Sequence, residues 1–323
     1  MSNIPSISNQ VILISALDWG FGHTTRCVSL IKNLLAYNNQ IIFAGNAVQV
    51  EFVQNEFPSI STQLIEGYNI ELSSTQSTYW QIGKQLRKLT NAIKKEKRWV
   101  DDFVSKNKVN LIISDNRYGF RSSNVKSVFM GHQLNVYVPT FRELVNKKLS
   151  QYINQFDECW VVDDKQLNLA GELSSPQYLS IPAHYIGLLN RFEKQNIDIV
   201  YDYLIIISGA YPENEQFLKS VEDYFSLKSD SLVIISTVKS KQPIKNAEYY
   251  YYPNTKILNQ FINQSKIVVA KLGYTTLMEM VSLQKECILM PTKGQFEQEY
   301  LGKIVANKNI RVINALNEIV SIL

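Results

Sequence analysis

Val11-Ile12-Leu13-Ile14-Ser15-Ala16-Leu17 runs directly into Asp18-Trp19-Gly20-Phe21-Gly22-His23-Thr24-Thr25-Arg26. The first seven residues, apolar except for Ser15, form a short strand-like segment that ends at a glycine turn. The rest is a glycine turn that opens an amphipathic helix. Glycines let the backbone approach a ligand closely, a helix N-terminus offers free N–H groups and a positive dipole end, and a histidine exchanges its proton near neutral pH. Strand, glycine turn and helix in that order begin a doubly wound α/β sheet, and the turn is suited to chemistry beside a phosphate.

Working outward, apolar and β-branched runs recur at residues 40–44, 111–114, 126–130 and 158–162, with helix-like stretches between most of them. A second series covers 203–207, 232–236, 248–252, 266–270, 286–290 and 311–313. This alternation predicts parallel sheets covered by helices. Between the two series, residues 186–196 lose apolar periodicity and turn polar, which places a domain boundary there. The expected architecture is α/β: two doubly wound Rossmann-like domains, residues 1–188 and 189–323, facing a central cleft. Ligands of such sheets bind at the carboxyl ends of the strands, and polar or glycine-bearing loops do follow the strands. They are the His23 loop, Asp115-Asn116-Arg117-Tyr118-Gly119, Gly131-His132-Gln133-Leu134-Asn135, Ser208-Gly209, Lys271-Leu272-Gly273-Tyr274-Thr275-Thr276 and Pro291-Thr292-Lys293-Gly294-Gln295.

Composition narrows the function. The chain has 323 residues, 45% of them hydrophobic, enough for two buried cores. Cys27, Cys159 and Cys287 are far apart with no CxxC pair, which argues against a disulfide framework or a zinc site and for small buried residues in a reducing compartment. The first ten residues carry no basic leader region, and no run of about 18 apolar residues occurs. A cytoplasmic protein is expected. A net charge of +4, without clustered basic motifs, does not indicate a nucleic-acid binder. The stretch from Lys84 to Arg98 holds seven Lys or Arg against one Glu, with Leu86, Leu89, Ile93, Val100 and Phe103 at helical spacing. It predicts an amphipathic helix whose cationic face is either simply solvated or set against anionic lipid at the inner membrane face. Arg142, Lys147 and Lys148 mark a second, weaker basic helix.

The loop motifs resemble those of GT-B glycosyltransferases, specifically glycosyltransferase family 28, which includes MurG and uncharacterised bacterial relatives. Gly273 is followed six residues on by Glu279, and Pro291 seven residues on by Gln298. The resemblance makes Glu279 the nucleotide-ribose carboxylate and Gln298 a sugar contact. Gly22-His23 resembles the family's N-terminal glycine loop. His132-Gln133-Leu134-Asn135 resembles its His-Glu-Gln-Asn segment, with glutamine in place of the acid. The C-terminal domain is then the donor domain, with Gly209, Gly273, Tyr274, Thr275, Glu279, Gln295 and Gln298 as donor contacts. The N-terminal domain is the acceptor domain, with Gly22, Arg26, Arg117, Tyr118, His132 and Asn135 as acceptor contacts.

The residues support chemistry in their own right. Glu279, in the first turns of a helix opened by Gly273, can take both hydroxyls of a ribose while the helix N-terminus meets a diphosphate; otherwise it supports its own helix start. Polar side chains at 295, 298 and 299 recur at helical spacing, either toward a sugar or toward solvent. His23 reads as a general base acting on an acceptor hydroxyl or on water, against a helix-capping role. Asp115, at a strand end, either orients His23, acts as base itself or caps the next element. Arg26 pairs with phosphate or with an acid such as Asp18. His132 is a second candidate for proton work, and His184 reads as structural.

These features lead to an inverting glycosyltransferase moving a sugar from a nucleotide diphosphate, UDP in the first instance, to a glycan or lipid-linked acceptor, in the manner of cell-envelope polysaccharide synthesis. No metal is expected, since helix dipoles and backbone N–H groups can meet the leaving diphosphate. The alternative is a UDP-sugar hydrolase, because the Gly-x-Gly-His-x-x-Arg loop also resembles that of the hydrolase of pseudaminic acid synthesis. A nucleotide-sugar epimerase and a catalytically silent binding protein rank behind them.

Overall fold

Ile12, Leu13 and Ile14 are fully buried because their strand, β1 (Val11–Ala16), has a parallel neighbour on each side. These neighbours are β2 (Gln40–Gly45) and β4 (Leu111–Asp115). The computed structural model describes residues 4–19, 21–68, 85–138, 140–209, 211–305 and 307–321. The chain divides into two compact units, Met1–Leu189 and Asn190–Leu323.

In the first unit the strands are joined in the order β3-β2-β1-β4-β5-β6-β7 and every pair is parallel. The outer members are β3 (Ser61–Leu64), β5 (Lys126–Gly131), β6 (Glu158–Val161) and β7 (Ala183–Tyr185). The helices are α1 (Gly22–Leu35), α2 (Ala47–Glu56), α3 (Leu86–Lys106) and α4 (Arg142–Ile153). Sequence analysis missed β3 and β7. Both lie at sheet edges and are partly exposed, so neither carries the apolar run by which the central strands are read.

α2 begins with a capping box, in which Asn46 accepts from the Gln49 backbone and Gln49 accepts in return from the Asn46 N–H. The Gln49 amide also donates to the carbonyl of Ala16 at 3.2 Å and to Thr24 Oγ1 at 2.9 Å, which pins the β1–α1 junction. α3 turns Arg87, Lys88, Lys94, Lys95 and Arg98 to solvent and buries Ile93 and Val100, as its spacing predicts, but Leu86 in its first turn is exposed. Lys84 lies outside the described residues.

The second unit repeats the plan in the order β10-β9-β8-β11-β12-β13, again all parallel. Its strands are β8 (Tyr201–Ile207), β9 (Leu232–Ser236), β10 (Ala247–Tyr251), β11 (Ser265–Lys271), β12 (Cys287–Met290) and β13 (Ile310–Val312). α5 (Glu213–Phe225), α6 (Thr255–Gln264), α7 (Tyr274–Leu283) and α8 (Phe296–Ile304) connect them. Its core joins Ile205, Ile207, Ile234, Val269 and Ile288 of the sheet to Phe217, Val221 and Phe225 of α5. Each such side chain contributes about 1.5–3 kcal/mol by leaving water.

In each unit the strand order reverses beside the first strand, between β1 and β4 and between β8 and β11. The loops leaving those neighbouring strands diverge to opposite faces of the sheet and open a crevice at their carboxyl ends. Both candidate sites lie at such a reversal.

Candidate active site

Asp115 is the last residue of β4. Its register puts it opposite Ala16 of β1 and Met130 of β5, and its carbonyl accepts from the Leu17 N–H at 2.9 Å. This fully buried carboxylate meets α1, whose first turn follows β1 through the glycine loop. Arg26 Nε donates to Asp115 Oδ2 at 2.5 Å, and Arg26 Nη2 donates to Asp115 Oδ1. His23 Nδ1 lies 3.0 Å from Asp115 Oδ1 and 2.8 Å from Arg26 Nη2, with 17% of its side chain exposed. Arg26 Nη1 stands 2.8 Å from His132 Nδ1, just beyond β5. A guanidinium only donates, so His132 accepts on Nδ1 and carries its proton on Nε2. Cys27 Sγ completes the cluster, 3.7 Å from Asp115 Oδ2.

Burial alone would raise the Asp115 pKa, but the charges and hydrogen bonds of Arg26 and His23 outweigh it and hold the carboxyl at about 2. The carboxylate is therefore ionised throughout the neutral range. Its pairing with Arg26 and His23 leaves His23 as the solvent-facing member of the cluster.

Several expected acceptor contacts have inner partners instead. Arg26 is buried against Asp115 and does not pair with Asp18, which accepts from the Tyr68 N–H. Arg117 is buried with its Nε on Glu96 of α3 and its Nη2 on the Glu66 carbonyl at 2.7 Å. Tyr118 packs its ring against Phe129 and Tyr152, and burial pushes its hydroxyl pKa up. Asn135 donates to the carbonyls of Glu172 and Ser175. Arg117, Tyr118 and Asn135 hold the loops in shape, while Arg26 holds Asp115. Gly22 opens α1, and its carbonyl accepts from Thr25 Oγ1. Gly20 lies outside the described residues. His184 sits on the edge strand β7.

Sequence reasoning missed Glu96. It accepts from Arg117, from Tyr68 Oη at 2.7 Å and from the Gly119 N–H at 2.9 Å, all inside the first unit. The signal was present: Glu96 lies on the Leu89, Ile93, Val100, Phe103 stripe, three residues past Ile93 and four before Val100.

In the second unit, Gly273 caps α7 after β11, and Glu279 lies in the second turn of that helix. Glu279 is buried, which raises its pKa against the opposing charge of Arg191. Arg191 Nε donates to Glu279 Oε1 at 2.9 Å, and its guanidinium lies 4.5 Å from the Phe192 ring centroid. Arg191 fell in the polar boundary stretch and was not singled out from sequence. Tyr274 is buried in the core, while Thr275 is partly exposed. Gly209, after β8, is exposed with φ of +106°, a conformation that favours glycine. Gln298 Oε1 accepts from the Thr292 N–H and Glu299 Oε1 from the Gly294 N–H, both at 2.8 Å, so α8 holds the loop after β12. Gln295 is the N-cap residue of α8. Asn254 caps α6, its side chain accepting from the Ile257 N–H.

Cys27, Cys159 and Cys287 are buried free thiols. Among the described residues no group of three His, Cys, Asp or Glu is arranged to hold a metal ion, and no helix is long and apolar enough to cross a membrane.

Two doubly wound parallel sheets, each with polar loops gathered where its strand order reverses, define the GT-B class of fold. No family model matches the sequence. An uncharacterised glycosyltransferase of Methanosarcina acetivorans is 24% identical over 324 residues, which cover 91% of this chain and 83% of that protein. Among solved structures, Arabidopsis thaliana UGT89C1 complexed with UDP-L-rhamnose superposes with a TM-score of 0.64 at 10% identity, covering 95% of this chain and 86% of that one. MurG of Acinetobacter baumannii gives 0.51 at 12% identity, over 94% and 85%. These homologues and neighbours are glycosyltransferases, which supports glycosyl transfer as the class of chemistry.

Proposed function

We propose that this protein is an inverting glycosyltransferase that moves a sugar from a nucleoside diphosphate, UDP in the first instance, to a hydroxyl of a glycan or lipid-linked acceptor. The observation that carries the reading is the His23–Asp115 contact of 3.0 Å at the strand-order reversal of the first unit, with His23 alone of the pair reaching solvent. In the tautomer that donates Nδ1–H to Asp115 in place of accepting there from Arg26 Nη2, His23 keeps a lone pair on Nε2 for the acceptor O–H. The acceptor oxygen then forms a bond to the anomeric carbon from the face opposite the nucleotide. The bond to the diphosphate breaks, and the nucleoside diphosphate leaves with the electron pair. Asp115 stabilises the imidazolium, and Arg26 keeps Asp115 ionised and oriented.

The donor is assigned to the second unit, with its diphosphate at the N-terminus of α7 and its pentose at Glu279. The N–H groups and dipole at the start of that helix suit an anionic leaving group, and no metal enters this scheme. The acceptor is assigned to the loops beyond β1, β4 and β5. The exposed cations of α3 suit contact with anionic lipid, and the inner face of the cytoplasmic membrane is the site we assign.

The test is release of UDP from a panel of UDP-sugars, with and without acceptor. Wild type should release UDP in an acceptor-dependent way. His23→Ala should lower kcat by roughly 100- to 10,000-fold while the Kd for UDP stays within about twofold. Fast, donor-specific release without acceptor identifies a hydrolase instead, and absence of binding to any uridine nucleotide removes the donor assignment.

A further inference from the structure

A carboxylate with two open oxygens can hold both hydroxyls of a ribose. In Glu279 one of the two is already engaged: Oε1 accepts a hydrogen bond from Arg191 Nε at 2.9 Å, whereas among the described residues Oε2 has no hydrogen-bond partner. Arg191 is not free to swing aside at little cost: its side chain is only 10% exposed, Glu279 is 5% exposed, and the guanidinium is stacked on Phe192. Withdrawing the cation would leave a buried carboxylate uncompensated and forfeit the stacking contact.

Accepting the assignment of the β11–α7 junction as the nucleotide site, we propose that Glu279 reads a single hydroxyl of the donor's pentose, and that Arg191, by occupying the other oxygen, makes the site accept 2′-deoxyribonucleoside and ribonucleoside diphosphates alike. Arg191 is thus a residue that widens nucleotide specificity. The 3′-hydroxyl, common to both classes, suffices for Oε2.

UDP and 2′-deoxy-UDP differ by one hydroxyl, and isothermal titration of the full chain with each gives the comparison. A hydroxyl held by a carboxylate costs roughly 10- to 150-fold in affinity when removed, whereas one left to solvent costs at most about threefold. Wild type is therefore expected to bind the two nucleotides within about threefold of each other. Arg191→Ala frees Oε1, and the preference for UDP is expected to rise to about tenfold or more. Arg191→Lys keeps a donor for Oε1 and should restore the wild-type ratio, which separates the effect from loss of folding. A wild-type preference for UDP above tenfold, or a ratio unmoved in Arg191→Ala, overturns the inference while leaving the donor site in place. Binding of neither nucleotide by wild type overturns the donor assignment and this inference with it.

Discussion

Arg26 joins three groups that sequence separates widely, Asp115, His23 and His132, and it does so from inside the protein. Its spacing from His23 on one helix face was legible. Its partner was not, because a buried guanidinium and a phosphate-binding one have the same sequence signature, and only the sheet register brings Asp115 beneath α1. The pairing has a pH consequence. Asp115 titrates at about 2 in the folded chain against an ordinary 3.8, so its contribution to stability is full above pH 4. It is lost as pH falls through 2, and amounts to on the order of 2 kcal/mol. Urea midpoints measured from pH 5 to pH 2 should fall for wild type, and the fall should be shallower in Asp115→Asn. An equal slope in the two would remove Asp115 as the source.

At the scale of elements, the Glu96–Arg117 pair ties α3 to the loop after β4. Both side chains are buried, so removing one strands the other's charge. Arg117→Met is expected to destabilise the first unit by about 3–5 kcal/mol in denaturant titration, more than any exposed lysine of α3 replaced in the same way. Gly119 is bound to the same cluster, and a Cβ there would collide with the Ile93 carbonyl. Gly119→Ala should therefore cost about 1–3 kcal/mol by the same measurement. On α7, Glu279→Ala should weaken UDP binding by about 1.5–3 kcal/mol in titration calorimetry. The helices and their apolar faces were readable from periodicity, whereas Glu96 was hidden among the seven cations around it. Four of the expected acceptor contacts meet inner partners, because residue type and spacing do not reveal which way a side chain turns.

For the whole molecule, the alternation of strand and helix was enough to read two parallel-sheet units, since central strands buried on both faces leave a strong apolar signature. Edge strands β3 and β7 leave none, and they were missed. Each unit has its own sheet and core, as the contacts within the second show. Residues 190–323 produced alone are therefore expected to unfold cooperatively and to bind UDP with a Kd within about threefold of the full chain. Circular dichroism and calorimetry measure both, and a fragment without a cooperative transition would show that the core of this unit does not suffice.

Cys27 follows Arg26 directly and leans on Asp115, with its thiol pKa raised by burial and by the neighbouring carboxylate. Such a sulfur is nearly inert while the first turn of α1 is docked and reacts as an ordinary thiol once it lifts away. Its labelling rate by a small disulfide reagent is therefore a built-in clock for how often the start of α1 opens, readable without any substrate in hand.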